Sequence, residues 1–175
     1  MYYKVVEGFG PEDGDTWLKY LKFCGFSHLT RFDSVDGMLR PDLFVPESYE
    51  DWMNCVNAEY KLSLITNLEY AKKAAKKIFA REKKAELVGV EVELEKGYSP
   101  GSLLCGYDII DQYCDNSLIT NCPDKEIINP EDILSNDLIA DFERAIELRA
   151  LLRKECSKDS HACGCEVWAV YRVAM

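Results

Sequence analysis

The run from Val88 to Leu94 constrains this chain most: Val88, Val90, Val92 and Leu94 alternate with Gly89, Glu91 and Glu93. Side chains on an extended backbone point alternately to opposite faces. An apolar residue at every second position, with acidic residues between, therefore describes a strand with one buried face and one wet face. Such a strand needs a sheet to join and a second layer to cover it. The cluster Gly97-Tyr98-Ser99-Pro100-Gly101 that follows is made of turn residues, and Leu103 to Ile110 then reads as a returning strand. The two are expected to form a hairpin.

Further strands are expected at either end of the chain. Tyr2 to Glu7 is rich in aromatic and β-branched residues and stops at Gly8. Cys165 to Val173 carries Val167, Ala169, Tyr171 and Val173 on one face and Trp168 and Val170 on the other. Apolar residues on both faces predict a central strand. Between them, Tyr60, Leu62 and Leu64 alternate with Lys61 and Ser63, which predicts a half-buried strand from Glu59 to Ile65.

Helical spacing appears in four other places. Trp17, Leu18, Leu21 and Cys24 share a face, with Gly25 where a left-handed C-terminal cap would fall. Ser48 and Asp51 resemble a capping box ahead of Trp52, Cys55 and Val56. Thr66-Asn67-Leu68-Glu69 is a better box, leading into Leu68, Ala71, Ala75, Ile78 and Phe79 on one face and a lysine-rich stripe on the other. Leu138, Phe142, Ala145, Leu148 and Leu152 trace one side of a helix of about 18 residues starting near Asn136. Asn129 followed by Pro130, Glu131 and Asp132 can start only a short one.

With 175 residues, 47% of them hydrophobic and 30% charged, the chain has the length and composition of one globular domain spanning residues 1–175. The expected fold class is α+β, with a single antiparallel or mixed β-sheet packed by helices. The N-terminus lacks the basic, apolar and small-residue regions of a secretory signal, and no apolar run is long enough to span a bilayer, so a cytoplasmic location is expected. On that basis most of the eight cysteines should be reduced thiols packed as small hydrophobes.

Few residues offer catalytic chemistry. The glycine-rich loop Gly8-Phe9-Gly10-Pro11-Glu12-Asp13-Gly14 follows a strand, but its glycine spacing is not that of a dinucleotide site. Its carboxylates would repel phosphate. It reads as a turn with a helix cap. The two histidines are His28, which reads as a loop or edge residue, and His161. Cys156, His161, Cys163 and Cys165 form the pattern Cys-x4-His-x-Cys-x-Cys, four soft ligands that could close a zinc site and make a zinc-stabilised regulatory module. The paired Cys-x2-Cys spacing is absent, and unliganded thiols are the plainer reading. Glu91, Glu93, Glu95, Asp108, Asp111 and Asp115 could supply oxygens to a metal-dependent hydrolase or nuclease if the hairpin gathered them at one point; otherwise they are a solvated acidic face.

Charge is the clearest functional signal. The formal net charge is -10, and between Asp108 and Glu143 the carboxylates are opposed by Lys125 alone. Such a surface repels nucleic acid and anionic membranes and attracts basic proteins. The expected function is a non-catalytic acidic binding protein that neutralises or holds a basic protein partner, in the manner of immunity proteins and inhibitors. Its contact residues would be Asp108, Asp111, Asp115, Asp124, Glu126, Glu131 and Asp132, in a strand exit and loop where side chains can reach outward. The basic stripe from Lys72 to Lys84 reads as a solvated face, or as a dock for the acidic stretch of a second copy, so a monomer or a homodimer is expected.

Overall fold

A computed structural model of the chain describes residues 2–7, 25–29, 67–69, 71–73, 75–76, 85–92, 102–112, 116–119, 126–155 and 161–174. Four strands, β1 (Tyr2–Glu7), β2 (Ala85–Val92), β3 (Ser102–Ile110) and β4 (Glu166–Val173), form one sheet in the order β1-β2-β4-β3. Every neighbouring pair is antiparallel. With helices packed on that sheet, the fold is α+β.

The last strand occupies the interior of the sheet, as its two apolar faces predict. Val167 to Tyr171 are buried without interruption. On one side Val92 stands opposite Trp168 and Leu87 opposite Val173, and on the other Ile110 stands opposite Glu166 and Ser102 opposite Val173. The expected hairpin between β2 and β3 is therefore not formed: β4 lies between them. Both β2 and β3 are antiparallel to β4 and so run parallel to each other, a relation that no two-strand hairpin can give. A strand that is apolar on both faces gains most from lying between two others.

The strand β3 is bent at a bulge between Leu104 and Gly106, where the register against β4 shifts. Gly106 has φ 146° there, and a Cβ at this position would lie 2.8 Å from Leu138 Cβ and 2.9 Å from the Ile139 carbonyl oxygen. Only glycine lets the backbone of residues 138–139 approach so closely. Past the bulge the outer edge of β3 is closed, because Tyr107 exchanges two backbone hydrogen bonds of 2.8 Å with Ile139, and Ile110 bridges to Ser117.

The core lies on one face of this half-sheet. Tyr107 and Ile109 from β3, Val167, Ala169 and Tyr171 from β4, and Cys165 just before it, pack with Ala145, Leu148 and Leu152 from the helix Phe142–Glu155. Phe26, Leu29, Ile119, Ile128, Ile133 and Ile139 complete it from the connecting segments.

That helix starts six residues beyond the expected Asn136. Asp141 is its cap, with Oδ1 accepting from the Arg144 amide at 2.8 Å and its carbonyl from the Ala145 amide at 3.1 Å. Upstream, Asp137 turns through φ 75° and Ile139 bridges to both Tyr107 and Ile133. Leu138 lies four positions before Phe142 and so mimics one more helical turn, although it packs against Gly106 from an irregular segment.

Three smaller expectations hold. Asn129 caps a 3-10 turn, Pro130–Asp132, its side chain accepting from the Glu131 amide. Residues 68–76 include helical positions in which Ala71 and Ala75 are buried, while Lys73 and Lys76 are exposed. Gly25 has φ 105°, the left-handed conformation expected of it. The expected helices around Trp17 and Trp52, the strand from Glu59 to Ile65 and the loops Gly8–Gly14 and Gly97–Gly101 lie outside the described residues. Among the described residues no helix is long and apolar enough to cross a membrane.

Candidate functional site

The carboxylates expected to meet a partner divide into two groups. Asp108 and Asp111 are buried, at 0% and 1% exposure, and do not belong to an outward-facing surface. Residues from Gly106 to Asp111 are buried throughout because β4 covers one edge of this stretch while Ile139 and Ser117 close the other. A carboxylate placed there must be hydrogen-bonded to remain ionised at tolerable cost. Asp108 Oδ1 accepts from Ser117 Oγ at 2.6 Å and from the Ile109 amide at 2.8 Å, and Ser117 Oγ in turn accepts from the Ile119 amide. Asp111 Oδ2 accepts from Asn116 Nδ2 at 3.1 Å and stands 2.7 Å from His161 Nδ1. The two aspartates serve separate sets of partners, and both fasten the reversal after β3 to the sheet.

Three more of the proposed contact residues lie on one stretch of chain. Glu126 and Glu131 are exposed. Asp132 is half-buried and held by Arg144, whose Nε and Nη2 donate to its two oxygens at 2.9 and 2.8 Å. The same guanidinium donates to Glu147 at 3.0 Å, and the Arg144 amide donates to Asp141. Three carboxylates thus surround one arginine, with exposed Glu131 and Glu143 beside them in sequence. The Asp132 and Glu147 hydrogen bonds, in that order, hold the Arg144 proton even more firmly than usual, so the cluster keeps its arginine at any working pH. Asp115 and Asp124 lie outside the described residues.

The hairpin carboxylates are not gathered as a hydrolase centre would need. The strand β4 separates β2, with Glu91, from β3, with Asp108. Glu93, Glu95 and Asp115 lie outside the described residues.

The four soft ligands meet different fates. Cys163 is disulfide-bonded, and a sulfur so engaged has no thiolate to give a metal, which removes it from the expected zinc set. Cys165 is a buried free thiol, its proton held by burial above the ordinary range although Arg153 pulls the other way. His161 is directed at Asp111, and Cys156 lies outside the described residues. Among the described residues no group of three or more histidine, cysteine, aspartate or glutamate side chains is placed to hold a metal ion. Cys163 is thus not among the reduced thiols expected of most cysteines here, whereas Cys105 and Cys165 are free thiols.

Two arrangements could not be read from local spacing. The Asp111–His161 pair joins residues 50 positions apart, a buried carboxylate to an imidazole whose side chain is 60% exposed. His28, by contrast, donates from Nε2 to the Ile133 carbonyl at 2.7 Å, a structural tie in a loop. The second arrangement locks the helix to the start of β4: Arg149 and Arg153 flank Glu166 at 3.1 and 2.6 Å, and Arg153 Nε donates to the Cys165 carbonyl at 2.8 Å.

Comparison with known protein families, with characterised proteins and with solved structures finds no match to this chain. The class rests on the fold: an α+β domain with an antiparallel sheet, a carboxylate-rich helix start and a buried aspartate paired to an exposed histidine.

Proposed function

We propose that this chain is a non-catalytic acidic binding protein that holds or neutralises a basic protein partner, in the manner of an inhibitor or immunity protein. The observation that carries the reading is the gathering of Asp132, Asp141 and Glu147 around Arg144, with Glu126, Glu131 and Glu143 exposed on the same stretch. One guanidinium cannot neutralise that many carboxylates. It does hold Asp132 and Glu147 in fixed positions, while the Arg144 amide holds Asp141, which lowers the ordering cost when cations arrive from outside. The excess negative charge speeds the encounter with a basic partner and orients it. Asp108 and Asp111 serve this surface indirectly by anchoring the chain that leads into it.

The test compares the chain with its Glu131→Lys, Glu143→Lys double variant in capture from extracts of the source organism, at low and then high salt. A basic protein retained by the parent, released by salt and missed by the variant supports the reading. Equal capture of the same proteins by both chains contradicts it.

A further inference from the structure

The helix Phe142–Glu155 buries Ala145, Leu148 and Leu152 and leaves Glu143, Glu147, Ala150, Leu151 and Lys154 exposed. With 3.6 residues per turn, those five exposed positions fall on one stripe about 100° wide, directly opposite the buried three. Leu151 is 41% exposed at the middle of the stripe, next to Ala150. An exposed leucine alone says little. Its place between two charges of opposite sign says more. Glu147 lies three positions before Ala150, and Lys154 lies three positions after Leu151, so the stripe is acid, small, apolar, base in order. Both charged side chains are largely in water and loosely engaged within the chain: Glu147 accepts from Arg144 at 3.0 Å, and Lys154 stands 3.8 Å from Glu155.

From this self-complementary order we infer that the exposed helix stripe is a contact surface for a second copy of the chain, related by a two-fold axis that passes between Ala150 and Leu151. The axis sets the two helices antiparallel. Glu147 of each copy then faces Lys154 of the other, and Ala150 of each faces Leu151 of the other. At 1.5 Å of rise per residue, Glu147 and Lys154 each lie about 5 Å along the helix from the axis, so opposite charges meet at one level. The small side chain of Ala150 lets the helices approach to the usual distance of about 8–10 Å. A parallel pairing would set like charges against each other. The stripe also selects a copy over other occupants: a uniformly basic surface meets Lys154, a uniformly acidic one meets Glu147, and only the same stripe reversed satisfies both. Each copy has a net charge of -10, so the two bodies repel at long range. Salt at about 0.15 M screens that repulsion beyond about 8 Å, while the facing pairs lie well within this distance. One helix stripe covers less than the roughly 800 Å² per partner of a stable dimer, which sets a dissociation constant on the order of 100 μM. Glu147 also borders the Arg144 cluster, but the pairing needs no basic partner and its outcome is independent of the binding role proposed above.

Sedimentation equilibrium of the purified full chain tests the pairing, from about 10 μM to about 1 mM in about 0.15 M salt. The average mass of the parent should climb from monomer toward dimer across that range. Glu147→Lys and Lys154→Glu, each alone, should raise the dissociation constant by on the order of tenfold or more. Mixed in equal amounts, the two variants should associate at least as well as the parent, because one copy then carries both cations of the stripe and the other both carboxylates. The double variant Glu147→Lys, Lys154→Glu exchanges the charges and should dimerise again. A parent that stays monomeric at about 1 mM overturns the inference, and this result needs no variant to fold. Undiminished association of either single variant overturns it, as does failure to associate in a mixture of the two when their circular dichroism matches that of the parent.

Discussion

The acidic residues of β3 and those around Arg144 carry the same charge and stand within one continuous acidic stretch of sequence, yet the fold uses them in opposite ways. Asp108 and Asp111 are internal acceptors, with a serine hydroxyl, asparagine groups, a histidine and a backbone amide arranged around them. Glu131, Asp141 and Glu143 face water. The difference lies in the backbone. A strand whose two edges are both closed has no wet side at its ends, whereas a 3-10 turn followed by a helix start leaves half its side chains outside. Negative charge in a sequence therefore becomes a surface only where the backbone has one.

Substitutions should separate the two groups by the quantity they disturb. Asp108→Ala leaves the Ser117 hydroxyl and the Ile109 amide without their buried acceptor, which should cost about 3 kcal/mol in urea unfolding. A loss below about 0.5 kcal/mol would place Asp108 with the surface residues. Asp111→Asn keeps the shape of the site but removes the charge that faces His161, and a loss of about 1.5 kcal/mol is expected by the same method.

Arg144→Met frees a half-buried Asp132 from its bidentate partner. Because Arg144 is itself partly exposed, water screens the pair, and thermal or urea unfolding should register only about 1 kcal/mol. Glu131→Lys should leave stability within about 0.5 kcal/mol while weakening capture of a basic partner, and a marked fall in stability would show that this glutamate is structural.

How far the sequence reveals this arrangement depends on whether the deciding interaction is local. The strand from Tyr2 to Glu7, the central place of β4 and the Asn129 cap are written in neighbouring residues, through β-branched content, two apolar faces and an asparagine before proline. The hairpin expectation failed because the strand that comes between β2 and β3 lies at the far end of the chain. The helix starts later than periodicity predicts because Leu138 keeps helical spacing while residues 138–139 are drawn to Gly106 and Tyr107, a long-range contact invisible to periodicity. The candidate site divides along the same line. Exposed Glu126 and Glu131 follow from a polar loop, but the burial of Asp108 and Asp111 depends on Ser117, Ile139 and His161 arriving from elsewhere.

The comparison between internal and external carboxylates is tested most directly by labelling them in the native chain with a carbodiimide and glycine ethyl ester, then mapping the products by mass spectrometry. Glu126, Glu131 and Glu143 should be modified readily, while Asp108 and Asp111 should remain protected until the chain is unfolded. Labelling of Asp108 and Asp111 in the native protein at the rate of Glu131 would contradict the account.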